Sequence, residues 1–217
     1  VTNDYVQLEV EFPLKVISSA VHNAGMGWYN NFLNRSISPY YNIENVKEET
    51  VQFLLERGFS LTNTVVMLTA VTANLVAIRS FHHERFSITI AVTAGVGNAV
   101  DVTRTYERQE IPYIGTINTW VIVNGKLSDE AFYQAMITVT EANTKALAEE
   151  GIRDLQTNTI ATGTATDSLL IAATQQGEEM PYAGPITDVG KLIGHGVFET
   201  TVEAIRKYKQ SKNERNG

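Results

Sequence analysis

The sequence predicts an α+β fold, a mostly antiparallel or mixed sheet packed with helices in a single domain. Three observations lead there. Short windows alternate apolar and polar residues or run as β-branched stretches, which is strand patterning. Two long windows in the C-terminal half repeat apolar residues at the helical period. The two kinds of window mix without regular strand–helix–strand alternation, which argues against a doubly wound sheet. With 217 residues, 43% of them hydrophobic, the chain can bury one core unaided.

Taken in order, Tyr5–Glu11 sets Val6, Leu8 and Val10 against Gln7, Glu9 and Glu11, a half-buried strand. Leu14–Val21 reads as its hairpin partner, with Pro13 at the turn. Asn45 with Glu48 three positions on is a capping-box pattern; the helix it opens carries Val46, Phe53 and Leu54 and stops at Gly58. Thr64–Thr72, Leu75–Phe81 and Phe86–Thr93 read as strands. So does Gly115–Asn124, closed by the turn dipeptide Asn124-Gly125. Ser128–Glu150 is the strongest helix, with Phe132, Ala135, Met136, Val139, Ala142, Ala146 and Leu147 on one face and Gly151 at its end. Ser168–Thr174 is a further strand. A last helix runs from Asp188 to Lys209 with Thr187 as its cap. Gly190 and Gly194 share one side of it, which asks for a close neighbour there, since glycine inside a helix costs about 1 kcal/mol relative to alanine.

Composition removes several function classes. No cysteine means no disulfide, no thiol nucleophile and no Cys-ligated metal. The net charge of −7 speaks against a nucleic-acid partner. The basic cluster Arg206, Lys207, Lys209, Lys212 and Arg215 reads as a helix end and solvated tail. No apolar run reaches a membrane span, and the N-terminus lacks signal-peptide patterning, so the expected setting is cytoplasmic.

The most informative stretch is Ala161-Thr-Gly-Thr-Ala-Thr-Asp167, where small residues and hydroxyls lead to one carboxylate. Small side chains let a ligand approach the backbone. Taken alone, the stretch also reads as a Thr-rich strand. Three other segments share its texture: Ser18–Trp28 with His22, Asn23 and Gly25; Val92–Ala99 with Thr93 and Asn98; and Gly115–Thr119 with Asn118. Four such segments beside apolar runs predict strand ends converging on a small-molecule pocket. His22, Asn23, Gly25, Trp28, Thr93, Asn98, Asn118, Thr162, Gly163, Thr164 and Thr187 are the candidate binding residues.

The four histidines form no metal-ligand spacing, and no metal site is expected. His82-His83 reads as an exposed turn. Asp188, Lys191, His195 and Glu199 share a side of the last helix, either as a solvated stripe or as the lining of a pocket at its N-terminus. No Walker loop, dinucleotide fingerprint or GxSxG elbow is present. Ser18, Ser19, Thr93, Thr162, Thr164 and Thr166 remain as possible hydroxyl nucleophiles.

Taken together and in order, these segments resemble the adenosylcobinamide amidohydrolase family of corrinoid salvage. The likeness rests on Ser18–Gly27, Met67–Ala70, Val92–Ala99, Gly115–Thr119, Thr140-Glu141-Ala142, Ala161–Asp167 and Tyr182–Gly194, and runs from Phe12 to Tyr208. Ala165 stands where a glycine is expected, and the N-terminal turn reads His22-Asn23-Ala24-Gly25. The resemblance implies hydrolysis of the amide joining the aminopropanol arm to the corrin ring. Adenosylcobyric acid and aminopropanol would be the products. It implies a corrinoid substrate, no certain cofactor, an amidohydrolase-like domain over residues 1–210, and a flexible tail over 211–217. A homodimer is the default assembly. Asp167, His195 and Asp188 are the candidate catalytic residues, an acid–base set for a water attack on the amide. Asp167 also reads as a turn or cap residue. Two other functions fit the residues: a corrinoid-binding module without catalysis, and a self-processing hydrolase with an internal threonine nucleophile.

Overall fold

Pro13 decides the shape of the N-terminal half. It has no N–H to give to a ladder, and a proline inside a strand sits at an edge or a bulge. Here the strand does not turn back at Pro13. It continues as one element, β1 (Tyr5–Ser18), whose pairing with β2 (Gly25–Ser36) slips register between Glu9 and Leu14. The expected hairpin of Tyr5–Glu11 with Leu14–Val21 is therefore replaced by a bent strand, since a bulge kinks and twists a ladder without reversing it. The partner is β2, which begins at Gly25, inside the Ser18–Trp28 segment that carries candidate binding residues.

In this computed structural model, residues 1–2, 4–38, 44–106, 108 and 115–216 are described, with side chains as far as Glu214. After β2 come α1 (Val46–Glu56), β3 (Thr64–Thr69), β4 (Ala77–His82), β5 (Ser87–Ala94) and β6 (Ala99–Val100). Then follow β7 (Ile117–Asn124), β8 (Lys126–Leu127), α2 (Asp129–Glu149), β9 (Gly163–Thr164), β10 (Ser168–Ala173), β11 (Glu179–Met180) and α3 (Asp188–Asn216). Seven strands make one mixed sheet in the order β3-β2-β1-β10-β7-β5-β4, with β2–β3 and β10–β7 parallel and the other pairs antiparallel. The α+β class holds.

The sheet folds over on itself. Strands β2 and β7 are three positions apart in the sheet, which in a flat sheet means about 14 Å. Yet Asn118 Nδ2 of β7 donates to Asn34 Oδ1 of β2 at 2.7 Å, and the rings of Trp120 and Phe32 meet edge-on with centroids 6.5 Å apart. Alternation then sorts the side chains. Phe32, Met67, Trp120, Leu170 and Ala172 fill the space between the two halves of the sheet. Val121, Val123, Ile171, Ile88 and Ile90 face the other way, under α2 and α3. Leu33 and Val66 point outward beneath Phe53 and Leu54 of α1.

The helices form close to where patterning puts them. Ser128 caps α2 by accepting the Ala131 N–H at 3.1 Å, and Thr187 caps α3 by accepting the Gly190 N–H at 3.1 Å. Asn45 precedes α1 but makes no side-chain cap, because its backbone (φ −117, ψ 30) is not the extended conformation that aims a cap oxygen at the first turn. Gly190 packs on the Gly184 carbonyl so tightly that no β-carbon would fit. That is the close neighbour expected for it. The Leu75–Phe81 window is a 3₁₀ turn, Ala73–Leu75, followed by β4. Helix α3 runs past Lys209 to Asn216, so residues 211–216 continue the helix. The Arg215 side chain and Gly217 lie outside the described residues.

Candidate functional site

The Thr-rich stretch is a folded loop rather than a long strand. Gly163 and Thr164 pair briefly with Ala99 and Val100, residues 165–166 turn, and β10 begins at Ser168. Asp167 organises that turn. Its Oδ1 accepts the Ile117 N–H at 2.9 Å and its Oδ2 the Thr164 N–H at 2.9 Å, and the Thr164 hydroxyl also donates to it. The Thr166 hydroxyl donates to the Gly115 carbonyl at 2.9 Å, and Thr164 Oγ1, whose proton goes to Asp167, lies 3.1 Å from the same oxygen. Asp167 is an exposed residue whose carboxylate is held against the protein by the Ile117 and Thr164 groups. Burial pushes its pKa above the ordinary carboxylate value, although the Thr164 and Ile117 hydrogen bonds pull the other way.

Beneath the loop lies a chain of buried polar groups. Thr116 Oγ1 lies 2.7 Å from the Thr166 carbonyl, to which it donates, and 3.1 Å from Asn118 Oδ1. Asn118 Nδ2 donates to Asn34 Oδ1 and, at 2.8 Å, to the Leu68 carbonyl. Asn34 in turn donates to Thr93 Oγ1 at 2.9 Å. Thr93, Asn118 and Thr116 are almost wholly buried, so they position the strand ends and touch no bulk solvent. Asn98 is buried against Gly115, where its amide oxygen fills the space a β-carbon would take. Ser19 and Ser168 share a hydrogen bond of 3.0 Å where β1 and β10 end.

A cavity of about 580 Å³ opens beside the loop. Thr162, Gly163 and Thr164 form one wall, Thr140 and Thr144 of α2 another, and Arg108 lies at its edge. Arg108 and Asp154 form an ion pair whose side chains are 7% and 1% exposed. Burial alone would raise Asp154. The Asp101 and Gln156 N–H groups, the Arg108 guanidinium and the Thr157 N–H outweigh it and hold its pKa at about 2. Hydrogen bonds from the Thr159 and Thr103 hydroxyls, with help from the Thr103 N–H, hold Asp101 below its ordinary value despite desolvation. This brace lies where nothing in the sequence reading pointed. The turn signal after Asp154, an acceptor followed by Gln156 and Thr157 N–H donors, is the trace it leaves in the sequence.

The structure gathers some expected residues here and sends others elsewhere. Thr162, Gly163 and Thr164 line the cavity, and Asp167 holds their loop. Thr93, Asn98 and Asn118 are the buried support. His22 Nε2 and Asn23 Nδ2 both bond the Leu61 carbonyl, at 2.9 and 2.8 Å, and Asn23 also takes the Thr64 carbonyl, so they tie the loop before β3 to the strand end. Asn23 and Gly25 have positive φ, 56° and 91°, which makes the tight reversal between β1 and β2. Trp28 lies exposed on β2.

Asp188 and His195 are not with Asp167. Asp188 pairs with Arg85 at 2.9 Å beside the β4–β5 turn, and His195 packs edge-on against Phe81 of β4. Arg85 precedes Ser87, which faces Asn124 at the far end of β7, whereas Asp167 grips Ile117 at its start. Seven residues of strand put the two ends about 23 Å apart. The topology therefore does not bring His195 and Asp188 to Asp167: the first turns of α3 lie at the other end of the sheet. Thr187 is at that end too, as the α3 cap. Among the described residues no three His, Cys, Asp or Glu side chains come together in a way that could hold a metal ion.

The chain is 31% identical over 175 residues to the adenosylcobinamide amidohydrolase of Methanosarcina mazei, covering 79% of this chain and 78% of that protein. It is 29% identical over 199 residues to an uncharacterized protein of Methanocaldococcus jannaschii, covering 82% and 78%. Among solved structures, an L-aminopeptidase D-Ala-esterase/amidase of Ochrobactrum anthropi superposes with a TM-score of 0.47 at 10% identity, over 95% of this chain and 75% of that one. Residues 1–213 match the family model described as adenosylcobinamide amidohydrolase. The chain belongs to the adenosylcobinamide amidohydrolase family and is an amide-cleaving enzyme.

Proposed function

We propose that the enzyme hydrolyses the aminopropanol amide of adenosylcobinamide, giving adenosylcobyric acid and aminopropanol, and that the Asp167 loop beside the cavity is where it does so. The observation that carries this reading is the placement of Asp167: a carboxylate of raised pKa, reachable by water, on the loop that walls the cavity. A raised pKa brings a carboxylate nearer the pH at which it works as a general base. In the proposed step Asp167 takes a proton from water as the oxygen attacks the amide carbon. The same carboxyl then returns that proton to the departing nitrogen, so one group serves as base and acid. Ser168, next to Asp167 in the chain, and Ser19 share a hydrogen bond of 3.0 Å at the strand ends. The role we propose is cytoplasmic reuse of incomplete corrinoids, acting on a small molecule with no nucleic-acid partner.

The test is direct. Purified protein incubated with adenosylcobinamide should yield a corrinoid carboxylic acid and aminopropanol by mass spectrometry. Binding with a spectral change but no product, at any pH, would support a carrier module instead.

A further inference from the structure

The Thr164 hydroxyl stands between two oxygens. One is Asp167 Oδ1, to which it donates, and the other is the Gly115 carbonyl, 3.1 Å away. A hydroxyl has one proton and two lone pairs, so it donates fully to one of these at a time. The Gly115 oxygen accepts the Thr166 hydroxyl at 2.9 Å and has a second lone pair to offer. Asp167 Oδ1 also accepts the Ile117 N–H at the start of β7, and Oδ2 accepts the Thr164 N–H, each at 2.9 Å. All of these partners are neutral groups.

The two charge states of Asp167 ask different things of these neighbours. The ionised carboxylate only accepts, and it is met by the two N–H groups and the Thr164 hydroxyl. The neutral acid carries a proton of its own and needs an acceptor for it. Neither N–H group can serve, since an amide nitrogen offers no lone pair. The Thr164 oxygen, already beside Oδ1, can serve once its own proton turns away. The Gly115 carbonyl lies where that proton turns. Asp167, Thr164 and Gly115 then keep partners in both states, and rotation about one C–O bond is the whole change.

We propose that Thr164 is a positioning residue for Asp167, a hydroxyl rotor that donates to the carboxylate when it is ionised and to the Gly115 carbonyl when it is protonated. The threonine proton never leaves its oxygen. The proton that travels is the one Asp167 takes from water and later gives to the departing nitrogen. A carboxyl that serves as base and then as acid passes through both charge states in each turnover, and the rotor holds the loop in one shape through both. That the exchange serves this reaction rests on the function proposed above. The exchange itself does not.

An NMR pH titration of isotope-labelled protein, reading the Asp167 carboxyl carbon and the Gly115 carbonyl carbon, tests this without turnover. Both carbons should titrate with one midpoint. Burial raises the pKa of Asp167, and the Thr164 hydroxyl is foremost among the groups that lower it. Thr164→Val, close in shape, should therefore raise the Asp167 midpoint by about one pH unit, the worth of a hydrogen bond to a charged group. It should also abolish the Gly115 response, and the pH limb of kcat should move up with the midpoint. Thr164→Ser should restore all three. Thr166→Val removes the fixed donor to Gly115 but leaves the rotor, so there Gly115 should still follow Asp167. A Gly115 carbon that ignores Asp167 in the wild type, or follows it undiminished in Thr164→Val, overturns the proposal. Turnover of adenosylcobinamide by the same preparation separates the two ideas. Turnover without the coupled titration removes the rotor and leaves the reaction. A coupled titration without turnover removes the reaction and leaves the rotor.

Discussion

The carboxylate of Asp167 occupies the space that a side chain on residue 163 would need: Oδ2 lies 2.6 Å from where a β-carbon on Gly163 would stand. Glycine there is a condition of the carboxylate's position, since three hydrogen bonds from Ile117 and Thr164 fix it from the other side. Gly163→Ala should therefore push Asp167 off its donors, at a cost of roughly 1–3 kcal/mol in stability. Under the proposed mechanism, turnover per folded molecule should fall at least tenfold. Chemical denaturation and steady-state rates on the same preparation check it.

Asp167→Asn keeps the shape and removes the base. The rate should drop by about 10²–10⁴, the usual worth of a positioned general base. Wild-type activity should rise with pH along a limb centred above the ordinary aspartate value, because the ionised form acts and burial raises its pKa. The variant should lack that limb. In stability the sign is opposite: a pKa raised by folding makes the native state less stable as pH climbs from the unfolded value to the folded one. Near-normal turnover with an unchanged pH profile would leave Asp167 as a turn residue only.

Asp154 has the reverse linkage. Its pKa falls from 3.8 to about 2 on folding. Its contribution is present above the unfolded value and is lost as pH drops from about 4 toward 2. Thermal melts should show a loss of stability across that window that Asp154→Asn abolishes. At neutral pH Asp154→Ala should cost roughly 3 kcal/mol, since it strands the Arg108 charge in a nearly covered position.

Asn118→Leu should destabilise the protein by roughly 2–3 kcal/mol, because it leaves Asn34 Oδ1 and the Leu68 carbonyl without their donor inside the folded-over sheet. Urea unfolding measures it. A cost near zero would mean that water reaches the Asn34 end of the network.

His195→Gln and Asp188→Asn should change kcat/KM by less than about twofold, since both side chains stand at the far end of β7 from Asp167. The Asp188 change also removes an exposed pair with Arg85, worth about 0–1 kcal/mol. A large rate loss in either variant, with the melt unchanged, would place the chemistry at the α3 end of the molecule.

Periodicity and punctuation in the chain determined much of the architecture: α2, Thr187 as the α3 cap, and the strands at Thr64, Ser87, Ile117 and Ser168. These are local matters, decided within a few residues by side-chain spacing, capping oxygens and glycine. The tertiary structure alone decided the rest. Pro13 reads as a turn along the chain, and only the pairing of β2 across it makes it part of a register shift. The Arg108–Asp154 brace joins residues far apart in sequence, with a sequence trace only in the turn at Asp154. Asp167 and His195 are both plausible acid–base groups along the chain, but the hydrogen-bonded ladder of β7 holds their ends apart. Distance along a sequence carries no information about which end of a strand a later helix packs against. That choice belongs to the folding-over of the sheet and to the helices that cover it.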